Sequence, residues 1–248
     1  MVLWGSDAQP AAAPEGTFRL IDYNVHNGVS PSGQLNPEAI ARVIEAERPD
    51  VVTLNEVNRG WAIAGTIDLA EWLSQRLDLP YVYGKAADGQ FGNAVMSRFP
   101  ITRVERLTLP KAAGPMVRNA TLATLDLGNS RVVDVVALHL DHRDEGRETR
   151  LAQIDVLLDA WNERPVTVFA GDMNATPESE EIAAMTRAGL VSAQDEAGDP
   201  GLKTFPSDAP DRRIDYVFGS NGIAFSNFRI PRTTASDHLP LLVTVAAD

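Results

Sequence analysis

The sequence reads as an α/β sandwich, with two mixed β-sheets face to face and helices outside them. Three observations predict it. Strand-like and helix-like segments alternate over the first eighty residues. From Tyr81 to Val136 the pattern becomes a series of short strands divided by turn residues. After Asn162 short apolar strands return, with helical segments between them.

Taken in order, Ser6–Gly16 is an Ala/Pro-rich stretch, and residues 1–17 are expected to be a flexible leader to a single domain spanning 18–248. Phe18–Val25 alternates apolar and polar residues as a strand does. Asn36-Pro37-Glu38 is a helix start: a capping amide, a proline at the first helical position and an acid in the first turn. Ile40, Val43 and Ile44 form its apolar face, and Pro49 ends it. Val51–Asn55 is a short buried strand. Leu69–Leu79 is helical. The runs YVYGKA, GNAVMSR, ITRVERLTL, RNATLATLDL and RVVDVVALHL follow as antiparallel strands, two of them joined by the turn Gly128-Asn129-Ser130. Leu151, Ile154, Leu158 and Trp161 share one helical face. Val166–Ala170 is a buried strand. Glu178–Ala188 is a helix with Thr176 as its expected cap. Ile214–Phe218, Ile223–Ile230 and Leu241–Val245 close the sheets.

Composition narrows the function classes. Hydrophobic residues make up 44% of 248, enough for a substantial core and too many for a disordered chain. No apolar run reaches the eighteen or so residues of a membrane span. Cysteine is absent, which removes disulfide and thiol chemistry. The formal net charge is −12, and only Lys85, Lys111 and Lys203 among 22 basic residues are lysines. Such a chain is a poor general binder of phosphate backbones. The compartment stays open between an exported and a cytosolic location, with the Ala/Pro leader leaning toward export. A monomer is expected.

Polar residues of catalytic type stand where the strands end. Asn24 ends the first strand and Glu56 the second. His139 closes VVALH, Asp172 and Asn174 follow TVFAG, Asp215 lies in RRIDYVF, and Asp237-His238 precedes LPLLV. Strand ends and the loops beyond them are where layered α/β folds expose side chains to ligand. In extended geometry Asp172 and Asn174, two apart, would face one point. A carboxylate and an amide there suit an anion beside a metal. Asp237 sets a hard oxygen next to an imidazole, and Asp215 is the natural carboxylate to orient His238. No G-x-S-x-G elbow accompanies them, which speaks against a serine nucleophile. With four histidines and no cysteine, a closed zinc site does not fit; oxygen ligands favour Mg²⁺ or Mn²⁺, with Ca²⁺ kept open.

The ordered set LIDYNVHNG, PDVVTLNEV, GNAVMSRFPI, RNATLATL, VVALHLDH, FAGDMNATP, RRIDYVF and SDHLPLLV resembles the endonuclease/exonuclease/phosphatase superfamily, of the deoxyribonuclease-I-like fold. The resemblance covers residues 18–246 and implies a four-layer α/β sandwich. It implies Glu56 as principal metal ligand with Asn24 beside it, and Asp237 supporting that metal or a second one. Asp172 and Asn174 would hold water and phosphate. His139 would contact the phosphate and stabilise the transition state or assist the leaving group. His238, oriented by Asp215, would be the general base, and Arg118 would contact phosphate. His26 could line the pocket or bond to its own loop backbone. Arg212 and Arg213 could meet substrate or pair with acids. One departure is Asn55, where the family more often has Gln. The implied activity is hydrolysis of a phosphate ester, first a phosphodiester on a small or flexible substrate. A nonspecific nuclease on DNA or RNA comes next, then a lipid-headgroup or inositol phosphate hydrolase. A non-catalytic module would be expected to have lost one of these ligands.

Overall fold

The first strand-like run becomes β1 (Thr17–Asn24) and the run after Pro49 becomes β2 (Val51–Asn58). They lie parallel, with Leu20 opposite Val51 and Asn24 opposite Asn55. The computed structural model describes residues 14–61, 65–86, 89–111, 117–164 and 166–247. Residues 1–13 of the expected leader lie outside the described residues. Pro14–Gly16 form a 3-10 turn that leads into β1.

Helix α1 (Pro37–Glu47) makes the crossover between the parallel strands. Its Asn36 side chain accepts a hydrogen bond from the Ala39 amide at 3.1 Å. It stops at Arg48, in left-handed conformation, just before Pro49. Asp68 caps α2 (Leu69–Leu77) in the same way. The antiparallel series follows as β3 (Tyr81–Ala86), β4 (Phe91–Ser97), β5 (Ile101–Thr108), β6 (Asn119–Gly128) and β7 (Arg131–His139). Helix α3 (Arg147–Trp161) then carries the chain to β8 (Thr167–Asp172), parallel to β7. After α4 (Glu180–Arg187) come β9 (Val191–Ser192) and α5 (Ala193–Ala197), and then β10 (Asp215–Gly219), β11 (Ile223–Arg229) and β12 (Leu241–Ala247).

Two six-stranded sheets result, in the orders β11-β12-β1-β2-β4-β3 and β5-β6-β7-β8-β10-β9. One apolar cluster fills the space between them, with Leu20, Val51, Val95, Val135, Val168 and Val243 among its members. A second lies between the first sheet and α1 and α2; a third lies between the other sheet and α3 and α4. The layers are therefore helix, sheet, sheet, helix, the four-layer α/β sandwich that the resemblance implied. No helix among the described residues is long and apolar enough to cross a membrane.

Two expectations change. The cap of α4 is Ser179, whose hydroxyl accepts from the Ile182 amide at 3.3 Å. Thr176-Pro177-Glu178 instead form a preceding turn, closed by the Ser179 amide on the Thr176 carbonyl at 2.9 Å. β1 is also covered on both faces from Leu20 onward, because it is a central strand. Its alternation therefore separates two buried environments.

That separation positions the site. Along β1, Leu20 faces the core between the sheets and Ile21 faces the helices. Asp22 and Asn24 continue the inward row. The same succession ends β2 (Val51, then Thr53 and Asn55), β4 (Val95, then Asn93), β7 (Ala137, then His139), β8 (Ala170, then Asp172) and β10 (Val217, then Asp215). At one end of the sandwich these inward rows turn from apolar to polar.

Candidate active site

Asp172 is the hub of that polar end. It pairs directly with His139 on β7 and with Asp215 on β10. Its Oδ1 accepts the Asn174 amide at 2.8 Å, and its Oδ2 accepts Asn24 Nδ2 at 3.1 Å. Oδ2 also lies 3.5 Å from His139 Nε2 and 3.7 Å from His238 Nε2. Burial and the nearby Asp215 carboxylate push the Asp172 carboxyl up to about 7, against the pull of His238 and the Asn174 amide.

His238 faces the hub with one nitrogen and leans on Asp215 with the other. Nδ1 is 3.0 Å from both Asp215 oxygens. The Phe205 ring, 4.7 Å away between centroids, walls the imidazole in. Burial alone would lower its pKa. Asp215, followed by Asp172 and Asp237, overcomes this and raises it to about 10. The imidazole therefore holds a proton at neutral pH as long as those carboxylates stay uncompensated.

Glu56 reaches the site through a break in regular pairing. It sits at φ 55 where β2 slips register against β4, between Leu54 and Val57. Such a bulge re-aims one side chain without ending the strand. Its Oε1 lies 3.9 Å from His139 Nε2. The Asn24 carboxamide oxygen accepts the His26 amide at 3.1 Å, which leaves it a second lone pair. Asp237 is half-buried and joins through Ser236, whose hydroxyl is 2.7 Å from the Asn24 carbonyl and 3.2 Å from Asp237 Oδ1.

Three expected residues take partners within the chain, His26 according to the second of its two readings. Asn174 is at φ 49, so it leaves the strand geometry that would have aligned it with Asp172. Its side chain reaches the Leu140 carbonyl at 3.3 Å. Arg118 is buried, and its two terminal nitrogens meet His139 and His142. The His26 ring bonds to its own loop, at the Val29 carbonyl 3.1 Å away, and is 3.7 Å from Asp237. Of the two open arginines, Arg213 is buried on Asp195 at 2.6 Å and on Ser192, and is structural. Arg212 is exposed, with its guanidinium 4.6 Å over the Phe205 ring.

Sequence reasoning noted Asn55 only as a departure and missed Asn93 and Asn119, the other amides beneath the site. Asn55 Nδ2 donates to Asn93 and to the Leu138 carbonyl, at 3.1 and 2.7 Å, and its oxygen accepts the Asp172 amide at 3.1 Å. Asn93 passes the chain on to Asn119, and Asn119 to Thr121. These bonds tie the two sheets together under the catalytic groups. The shorter Asn55 thus reaches partners across the sandwich. Asp22 was missed as well: its Oδ1 accepts the Thr53 hydroxyl at 2.7 Å, and its Oδ2 is buried without a partner.

The donor set fits a hard divalent cation. Glu56, Asp237 and the Asn24 oxygen are oxygen ligands of the kind Mg²⁺ or Mn²⁺ takes. Among the described residues, the cluster whose ligand atoms all lie within 4.8 Å of one another is Asp172, Asp215 and His238, beside that set. Burial first, and neighbouring carboxylates after it, raise the Asp22 and Asp172 carboxyls.

Comparison with known proteins agrees with this architecture. The chain is 23% identical to the Escherichia coli (strain K12) protein described as "Uncharacterized protein YbhP", over 94% of this chain and 97% of that one. The structure of an endonuclease/exonuclease/phosphatase from Beutenbergia cavernae superposes with a TM-score of 0.82 at 26% identity, covering 93% of this chain and 72% of that one. The human Nocturnin catalytic domain, solved with a bound sulfate anion, superposes at 0.73 with 22% identity over 96% of both chains. The model of the Endonuclease/Exonuclease/phosphatase family matches residues 23–238. The chain belongs to that family.

Proposed function

We propose that this protein is a divalent-metal-dependent phosphodiesterase that attacks phosphorus in line with an activated water. The observation that carries the reading is the Asp172 hub, where one carboxylate meets Asn24, His139 and a His238–Asp215 pair. Asp215 fixes the imidazole so that Nε2 faces the hub. Asp172 and His238 hold the water between them, and His238 takes its proton. Asn24 and the Asn174 amide keep the Asp172 oxygens aimed. Glu56, Asn24 and Asp237 would hold the metal, which supplies charge neutralisation at the phosphate and offsets the carboxylates that keep His238 protonated.

A second reading, nuclease activity, draws on Arg212 and Phe205. An exposed cation and an aromatic ring stand beside the catalytic imidazole, where a nucleotide could rest. The chain's acidity favours a small or flexible substrate over duplex DNA.

Turnover of bis-p-nitrophenyl phosphate should require Mg²⁺ or Mn²⁺ and stop with chelator. Glu56→Ala and His238→Ala should each lower kcat by about 10²–10⁴-fold, the range for a lost proton-transfer group or charge stabiliser, with far-UV spectra unchanged. Near-normal turnover in either variant sinks the assignment. Parallel assays on plasmid DNA, RNA, sphingomyelin and phosphomonoesters decide the substrate class.

A further inference from the structure

Arg118 immediately precedes β6 and is only 4% exposed. Its Nη1 is 3.0 Å from His139 Nδ1, and its Nη2 is 3.1 Å from His142 Nδ1. The guanidinium carbon lies 5.9 Å from the centre of the Phe91 ring, and the same ring neighbours His139 at 6.4 Å. A family-type arginine beside a phosphate site would be expected to aim at substrate. This one directs one hydrogen bond from each terminal nitrogen to a histidine.

Donor counting decides what that does. A guanidinium has five N–H donors and no acceptor, and it stays charged. Any imidazole nitrogen that bonds to it must therefore present a lone pair. For His139 this places the lone pair on Nδ1 and the single proton on Nε2. Nε2 is the atom turned into the site, 3.5 Å from Asp172 Oδ2 and 3.9 Å from Glu56 Oε1, both acceptors. The ring is buried beside a fixed positive charge. The site thus contains two histidines in opposite settings: His238 is backed by a carboxylate and His139 by a cation.

We propose that Arg118 is a positioning residue that fixes His139 as the Nε2–H tautomer, so that His139 acts as a neutral hydrogen-bond donor to a phosphate oxygen and transfers no proton. The leaving group then takes its proton from solvent. The exposed His142 is the second acceptor and pins the other terminal nitrogen of the guanidinium. The contact with phosphate rests on the phosphoesterase reading above; the tautomer does not.

Long-range ¹H–¹⁵N spectra of histidine-labelled protein test this directly, because only four histidines need assigning. In the wild-type protein at neutral pH, His139 should show an unprotonated Nδ1 and a protonated Nε2. A proton on Nδ1, or on both nitrogens, overturns the proposal. In Arg118→Met the tautomers should mix, and kcat should fall by about 10–100-fold, as when the group orienting an active-site histidine is removed. Retention of the Nε2–H form in that variant also overturns the proposal. If Arg118→Met does not fold, the wild-type spectrum decides alone. His139→Gln should slow diaryl phosphates with nitrophenol and phenol leaving groups by the same factor. A much larger loss with phenol would make His139 a general acid and overturn the neutral-donor role. The expected tautomer in a wild-type protein that hydrolyses no phosphoester would overturn the phosphate contact together with the function reading, while supporting the Arg118–His139 pairing.

Discussion

Asp22 shows how far a single residue can depart from its sequence pattern. In FRLIDYNV it stands as a polar residue in an alternating strand, which normally means a solvent-facing side chain. In the fold it is buried between the sheets, with one oxygen on Thr53 and the other unpartnered. Burial raises its pKa well above 3.8; Thr53 pulls the other way, and the Asp215 and Asp172 carboxylates add to the rise. The folded protein therefore binds this proton more tightly than the unfolded chain does. By linkage, the stabilisation is complete below the unfolded carboxyl value near 3.8 and is lost as pH rises toward the folded value. Asp172, raised to about 7, has the same sign and the window between about 4 and 7. In metal-free protein, against the upward slope of His139, whose pKa is held low, these two groups contribute a downward slope of Tm between pH 4 and 8. Asp22→Asn, which cannot ionise, should flatten that slope. An unchanged slope in the variant would mean that Asp22 ionises no differently in the folded and unfolded states.

At the scale of elements, the site depends on how strands end. β8 carries Asp172 on a backbone with Gly171 at φ 148, packed against β7 and under Asn55. A Cβ at Gly171 would sit 1.9 Å from the Leu138 carbonyl oxygen and 3.2 Å from Asn55 Nδ2. The Leu138 oxygen is the acceptor through which Asn55 joins the two sheets. Gly171→Ala should therefore force β7 and β8 apart and cost more than about 3 kcal/mol, the size of a severe backbone or packing defect. Chemical denaturation measures it, and a loss below about 1 kcal/mol would show that the strands can yield. Strands and helices were largely legible because the longer ones carry a period and several helices a cap, as Asn36 and Pro37 do for α1. β9 and α5, of two and five residues, are too short for a period. The bulge at Glu56 and the left-handed turn at Asn174 left no signal either, since neither residue type demands a positive φ.

For the whole molecule, the net charge of −12 and the cluster of carboxylates at one end of the sandwich point to the same prediction. A divalent cation that binds only the folded state should stabilise it by about 2.7 kcal/mol at a free concentration one hundred times its Kd. Calorimetry with and without chelator should show Tm rising with Mg²⁺ or Mn²⁺ in the wild type and rising much less in Glu56→Ala. Equal rises in both would place the cation elsewhere. The sequence by itself determined the order of the longer elements and the layered class, because hydrophobic period is a local property; strand-end polarity together with the family resemblance named the residues that gather. Only the tertiary structure decided what those residues do to one another. That Asp172 is the hub, that Asn55 bridges the sheets, that Asp22 is buried and that Arg118 faces two histidines are facts of register and sheet-to-sheet distance. These are set by how two sheets pack, and a linear pattern carries no record of which row lies opposite which.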